Sequence, residues 1–243
     1  MIPHWQERTL LLAGNERIER LHRAHVLVCG LGGVGSYAAE QLARAGIGKL
    51  TIVDGDTIHE TNRNRQLPAL TSTHGQLKAE VVARRLLDIN PALNLSVITE
   101  YIKDDRMVEI LQQGYDYVID AIDTLSPKVY LIYHTLRLGM PLVSSMGSGG
   151  KFDPSQIRVS DIDDTYNCKL AYYMRKRLHK LGIWKGFKAV YSPEVVSRDA
   201  VAPLEGELNK KSTVGTISYM PAMFGIYCAS VVLRDLMQLE TGK

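Results

Sequence analysis

The sequence predicts an α/β fold, a largely parallel sheet with helices on both faces, continued by mixed or antiparallel strands and a basic helical insertion. Three observations predict it. Short apolar runs alternate with helical patterns for most of the chain, as expected of parallel strands joined by crossover helices. A glycine-rich turn, Gly30-Leu31-Gly32-Gly33-Val34-Gly35, follows the first such run and opens a helical pattern. The 243 residues are 45% hydrophobic and 23% charged, which supplies a substantial core and excludes a disordered chain.

The elements follow in order. Residues 25–30 (HVLVCG) read as the first strand, and a helix runs from the glycine turn through Ala45. Residues 50–54 (LTIVD) are the second strand. A polar stretch over 55–75 carries Arg63 and Arg65 before a helix over 76–89, which Asn90-Pro91 ends because the residue before proline avoids helical backbone. Residues 95–99 make a third strand, 105–113 a helix, 115–121 (YDYVIDA) a fourth strand, 127–138 a helix and 141–145 a fifth strand. After Gly147-Ser148-Gly149-Gly150 the pattern changes: a strand over 156–160, a strongly basic helix over 169–180 and a short strand over 189–192. Residues 193–212 are polar with few apolar anchors and are expected to be irregular and mobile.

The twenty residues 214–233 carry no charge, roughly the length of a membrane span. Pro221, Gly215, Gly225, Ser218 and Ser230 interrupt them. A strand over 216–219, a proline at a helix start and a buried helix are the preferred reading, so no stable membrane span is expected. The chain divides into residues 1–150 and 151–243, expected to form one continuous domain.

Charge is nearly balanced overall, at +3, but unevenly distributed. Residues 1–150 hold 15 basic and 16 acidic side chains, and residues 151–243 hold 14 and 10. Cys29, Cys168 and Cys228 are odd in number and form no CxxC pair, so neither a disulfide framework nor a four-thiolate zinc site is expected. That usage, with no apolar stretch in the first eight residues, points to the reducing cytoplasm.

The glycine turn sits between a strand and a helix, the context in which such a loop cradles phosphate. Gly30 permits the tight turn, Gly32 and Gly33 let backbone approach phosphate oxygens, and Gly35 allows close helix-to-strand packing. Together these features describe a Rossmann-like unit. Asp54 ends the second strand, placed for ribose hydroxyls; a glycine-rich turn without a ligand is the alternative. Asn62-Arg63-Asn64-Arg65-Gln66, followed by Lys78, supplies two guanidiniums and an ammonium, more positive charge than a pyrophosphate needs, and these suit a triphosphate and a departing pyrophosphate. They could instead coat a surface loop. Asp123, near the end of the fourth strand, suits Mg²⁺ shared with phosphate oxygens. It could equally, with Thr124 and Ser126, cap the next helix.

These residues together resemble the ubiquitin-activating and ThiF/MoeB-type adenylating enzymes. The matching text is RTLLLAG from Arg8, GLGGVG from Gly30, Asp54 and Asp56, TNRNRQ over 61–66, GQLKAE around Lys78, INP over 89–91 and VIDAID ending at Asp123. The resemblance implies transfer of AMP from MgATP to a carboxylate, with ATP and Mg²⁺ bound by the part over 1–150. Carried over by position, Gly30, Gly32, Gly33, Gly35, Asp54, Asp56, Asn62, Arg65 and Lys78 would bind the nucleotide. Asp123 would hold the magnesium, and Arg8 would reach the triphosphate of a partner subunit in a homodimer; Arg8, Arg65, Lys78 and Asp123 form the implied catalytic set.

Within that superfamily the chain is most similar to the tRNA threonylcarbamoyladenosine dehydratase branch. The cues are AGIGKLTIVDGD, GYDYVIDAIDTLSPKVYLI, SGGKFDPSQI over 148–157, the basic helix, YSPE over 191–194 and GTISYMPAMFG from Gly215. The branch adenylates the threonyl carboxylate of threonylcarbamoyladenosine beside the tRNA anticodon, and the side chain then closes on itself with net loss of water. Positioning and charge neutralisation would carry the adenylation without a side-chain nucleophile. No residue is identified as the base for closure.

The second part, 151–243, would bind the tRNA substrate and complete the dimer. Residues 169–188 contain seven basic side chains, Lys169, Arg175, Lys176, Arg177, Lys180, Lys185 and Lys188, and no acidic one. Tyr172, Tyr173, Trp184 and Phe187 lie among them. Cations neutralise phosphates and aromatics stack on unpaired bases, which suits an anticodon loop; a solvated helix with core-facing aromatics is the alternative.

Two other functions compete. Activators of ubiquitin-like sulfur-carrier proteins commonly have paired CxxC zinc ligands, which this chain lacks. A sulfur-transfer partner is doubtful, because Lys210, Lys211 and Ser212 stand where some dehydratases carry a cysteine. Cys168 remains a possible thiol nucleophile, although no histidine or helix start visibly activates it. A non-catalytic ATP-binding scaffold would keep the glycine loop without needing Arg8, Arg65, Lys78 and Asp123.

Overall fold

Strand β1 (His25–Cys29) in the computed structural model pairs in parallel with β2 (Lys49–Val53) on one side and β4 (Tyr117–Asp120) on the other. The structure describes residues 2–203 and 212–239. Strand β3 (Asn94–Ile98) extends the sheet beyond β2, and β5 (Leu142–Ser145) follows β4. Next comes β7 (Lys188–Tyr191), parallel to β5, and then β6 (Arg158–Asp161), antiparallel at the edge. The order is β3-β2-β1-β4-β5-β7-β6, so the expected largely parallel sheet with an antiparallel continuation is what forms.

The strands read as continuous apolar runs because both faces are covered. In β1, Val26 and Val28 enter one core while Leu27 and Cys29 enter the other. The first core lies under α3 (Gly35–Ala45), α4 (Lys78–Ile89) and α8 (Tyr219–Leu236). The second lies under α5 (Asp104–Leu111), α6 (Leu125–Arg137) and α7 (Lys169–His179). Fully burying one such Leu, Ile or Val contributes about 1.5–3 kcal/mol, so each layer is held by apolar burial. Helix α4 ends where expected: Asn90 donates its N–H to the Leu86 carbonyl, and Pro91 cannot continue the helix.

Three expectations change. Residues 4–23, left unassigned above, form a 3₁₀ turn (His4–Gln6) and two short helices, α1 (Glu7–Ala13) and α2 (Asn15–Arg23). Only Ile18 and Leu21 of α2 are buried, a stripe too thin to register in the sequence. The strand expected over 216–219 is absent. Its place is taken by β9 (Ser212–Val214), paired with β8 (Val201–Pro203). The Thr216 hydroxyl takes the Val214 carbonyl and the Asn64 side chain takes the Thr216 carbonyl, so side chains use the bonds a ladder would need. Finally, the stretch read as irregular over 193–212 contains β8, a 3₁₀ turn (Arg198–Ala200) and the first residue of β9. Residues 204–211, with Lys210 and Lys211, lie outside the described residues. Among the described residues no helix is long and apolar enough to cross a membrane.

Candidate active site

The glycine loop connects the carboxyl end of β1 to the start of α3. Gly30 adopts φ +88°, and a side chain there would press on the Ala121 carbonyl at 2.8 Å. A side chain at Gly35 would overlap the Gly30 carbonyl. Backbone therefore replaces side chain on the inside of the turn, which lets an anion approach the N-terminus of α3. Gly33 sits against Arg65 and against Pro221 in the first turn of α8. Arg65 is thus beside the phosphate cradle, its guanidinium donating to the Thr61 carbonyl at 3.0 Å and Asn64 Oδ1 at 2.9 Å.

Asp54 follows β2. Its Oδ2 accepts the Leu31 N–H at 2.6 Å and its Oδ1 the Asp56 N–H at 2.8 Å. Burial raises its pKa from the ordinary value, and the Lys78 charge and the two backbone hydrogen bonds oppose that rise. Two backbone bonds fix the carboxylate and leave lone pairs for a pair of hydroxyls. Lys78 opens α4 with its side chain buried, Nζ 2.6 Å from Asp56 Oδ2. Tyr101, in the loop after β3, donates its hydroxyl to Asp56 Oδ1. That bond, with burial and the charges of Asp56, Asp54 and Asp123, pushes the phenol up to about 12. Asp56 therefore belongs to a local ionic group with Lys78. Asn62 is buried and its Oδ1 accepts the His59 N–H at 3.1 Å.

Asp123 is exposed in the turn between β4 and α6. Thr124 is the residue at the helix start and makes no side-chain capping bond, while the Ser126 hydroxyl accepts from Arg177. Beneath it lies a pair the sequence reading missed. Asp120 and Lys128 are both fully buried, with Nζ 2.8 Å from Oδ2. The signal for Lys128 is a charge beside the apolar Val129, Leu131 and Ile132 of α6, eight residues after an acid ending a strand.

Of the seven expected cations, Lys169, Arg175, Lys176 and Arg177 lie on α7, and two of the seven turn out to be engaged elsewhere. Arg175 faces inward, donating to the carbonyls of Ile162 (3.3 Å) and Thr165 (2.9 Å) and to the Thr165 hydroxyl. Lys188, expected among the tRNA-facing cations, opens β7, where its Nζ pairs with Asp235 at 2.7 Å. Lys169, Lys176, Arg177, Lys180 and Lys185 are exposed. Tyr172, Tyr173 and Trp184 are 53%, 42% and 59% exposed, whereas Phe187 is buried in the core. Trp184 stacks on His179 with ring centroids 4.0 Å apart. Three of the four aromatics thus face outward and one enters the core.

Cys29, Cys168 and Cys228 are buried free thiols. Burial raises the pKa of Cys29 and pushes Cys228 up to about 12. Cys168 does occupy a helix start, the one opening α7, a feature the sequence reading did not assign. Lys151 is buried too, donating to the Ser192 carbonyl; burial lowers its pKa, while Cys168 and Glu194 oppose that fall.

Residues 6–243 match the model of the ThiF family. The chain belongs to the ThiF family. Among its relatives, the tRNA threonylcarbamoyladenosine dehydratase of Bacillus subtilis is 37% identical over 242 residues, covering 97% of this chain and 95% of that protein. The Escherichia coli enzyme of the same name is 37% identical over 253 residues, covering 96% and 94%. The crystal structure of the Escherichia coli dehydratase in complex with ATP superimposes with a TM-score of 0.89 at 36% identity, covering 98% of this chain and 97% of that one. This ThiF chain is therefore similar to the dehydratases through both halves, including the basic helix and α8.

Proposed function

We propose that the chain is an ATP-dependent tRNA threonylcarbamoyladenosine dehydratase working in the cytoplasm. Similarity to the named dehydratases over nearly the full length supports it over a sulfur-carrier activator or a scaffold. One observation carries the reading within the molecule: Arg177 of the basic helix donates to Ser126, three residues past Asp123, at 2.9 Å. A face suited to tRNA and a cradle suited to ATP thus meet at one turn.

The reaction begins when the threonyl carboxylate attacks the α-phosphorus, forming an acyl–O–P bond and releasing pyrophosphate. Asp54 holds the ribose, and the glycine loop and the α3 start hold phosphate oxygens. Arg65 and Lys78 balance the charge moving onto the leaving group, as does Arg8 of the partner subunit in a homodimer, and the Asn62 amide donates to a phosphate oxygen. Such preorganised charge is the main source of acceleration in phosphoryl and adenylyl transfer. The ureido nitrogen then attacks the acyl carbon, loses its proton, and AMP departs with the acyl–oxygen electron pair.

The donor set fits a nucleotide-borne magnesium. A magnesium ion carried by the triphosphate needs only one or two protein carboxylates besides phosphate oxygens, and Asp123 is exposed at the turn after β4. Asp123 would hold it, and it would supply charge neutralisation to the triphosphate. Residues 1–150 serve as the ATP-binding part, and 151–243 as the part for tRNA and dimer completion. On α1, Leu11 and Leu12 are 81% and 87% exposed beside Arg8, consistent with burial against a second copy.

ATP–pyrophosphate exchange tests the proposal. Exchange should require tRNA bearing the threonylcarbamoyl group. Exchange independent of that group, or supported only by a carrier protein, contradicts it.

A further inference from the structure

Asp120 and Lys128 place two full charges where neither is exposed to water. Such a pair adds little net stability, because desolvation offsets the attraction, so its retention points to a geometric task. Its backbone bonds converge on one turn, and one side-chain bond ties it to β5. Lys128 Nζ donates to the carbonyls of Ile122 at 3.0 Å and Asp120 at 3.5 Å. Asp120 Oδ1 accepts the Ile122 N–H at 3.1 Å, and Oδ2 accepts the Ser144 hydroxyl at 2.6 Å. The anchored turn backs the phosphate cradle, since the Ala121 carbonyl closes against Gly30. One residue beyond Ile122, it carries Asp123.

We infer that the Asp120–Lys128 pair is a positioning element that sets the Asp123 carboxylate relative to the glycine loop, and through it the magnesium-dependent part of ATP affinity. The inference rests on the reading of Asp123 as the carboxylate facing the nucleotide-borne metal. Both members are fully buried, so neither touches the nucleotide. Lys128 acts through carbonyl oxygens of the turn and Asp120 through a backbone N–H. A turn held by fewer bonds would still accept phosphate at the glycine loop, but would present Asp123 in several orientations.

The test is calorimetric titration of the full chain with ATP, once in excess Mg²⁺ and once in EDTA, for wild type, Lys128→Met and Ser144→Ala. Wild type should bind more tightly with Mg²⁺. Lys128→Met should bind metal-free ATP within about twofold of wild type and lose about tenfold or more of the magnesium-dependent gain, as expected when a residue orienting a metal ligand is removed. Ser144→Ala keeps the ion pair and should lose a smaller part of the same gain, which preserves the test if Lys128→Met does not fold. A folded Lys128→Met that keeps the full gain overturns the inference alone, as does equal weakening with and without Mg²⁺. If Lys128→Met does not fold, an unchanged gain in Ser144→Ala overturns it. A wild type that gains nothing from Mg²⁺ overturns the reading of Asp123 and the inference with it.

Discussion

Arg177 Nη1 donates to the Ser126 hydroxyl at 2.9 Å, joining the basic helix to the first turn of α6. Arg177→Ala should therefore raise the tRNA KM several-fold, with ATP affinity within about twofold of wild type, because the guanidinium lies outside the glycine loop. Steady-state kinetics with modified tRNA, alongside ATP titration, checks this.

On the proposed function, the exposed Lys169, Lys176 and Lys180 are expected to contact tRNA phosphates. Replacing Lys169, Lys176 and Lys180 together by Ala should reduce the slope of log affinity against log salt by about 2, since each contact contributes roughly 0.7–0.9. Filter binding of tRNA across a salt series measures it.

Arg175 and Lys188 should behave differently. Arg175→Ala removes the donor for three acceptors and should cost about 1–3 kcal/mol of stability. Lys188→Ala breaks a partly exposed pair and should cost about 1 kcal/mol or less. Neither should change the salt slope, and urea denaturation with tRNA binding separates the two effects.

Lys78 is a buried cation held by Asp56 at 2.6 Å. Lys78→Met should weaken ATP binding about 10–100-fold, the loss expected of a charge-assisted contact, and leave tRNA binding unchanged. Calorimetry on both ligands checks it.

Glu40 on α3 gives a pH signature. Burial pushes its carboxyl up, but Arg85 at 2.6 Å and Arg44 at 2.8 Å outweigh burial and hold its pKa below the ordinary 4.5. A depressed folded pKa means stability present above the unfolded pKa and lost as pH falls through the folded one. Glu40→Gln should cost about 1–2 kcal/mol near neutrality, shrinking toward zero in acid. Denaturation midpoints across pH measure it; a penalty independent of pH contradicts it.

The sheet was legible because apolar runs such as 25–30 and 115–121 are local signals, and the glycine loop because strand, turn and helix are consecutive. Lys188 was misread because it continues the basic run of α7 in sequence; its place is decided by pairing with Val143 across the sheet. Arg175 looked like its neighbours, yet helical phase turns it toward Thr165. Tyr101 and Lys128 gained meaning only from partners 45 and eight residues away. Local patterns thus revealed the nucleotide cradle, whereas its supports depend on contacts distant in sequence.

Mass spectrometry of tRNA nucleosides after incubation with ATP and Mg²⁺ tests the central claim most directly. The account predicts that threonylcarbamoyladenosine loses one water while ATP is converted to AMP and pyrophosphate. An unchanged nucleoside, with AMP instead joined to a carrier protein's C-terminal glycine, would contradict it.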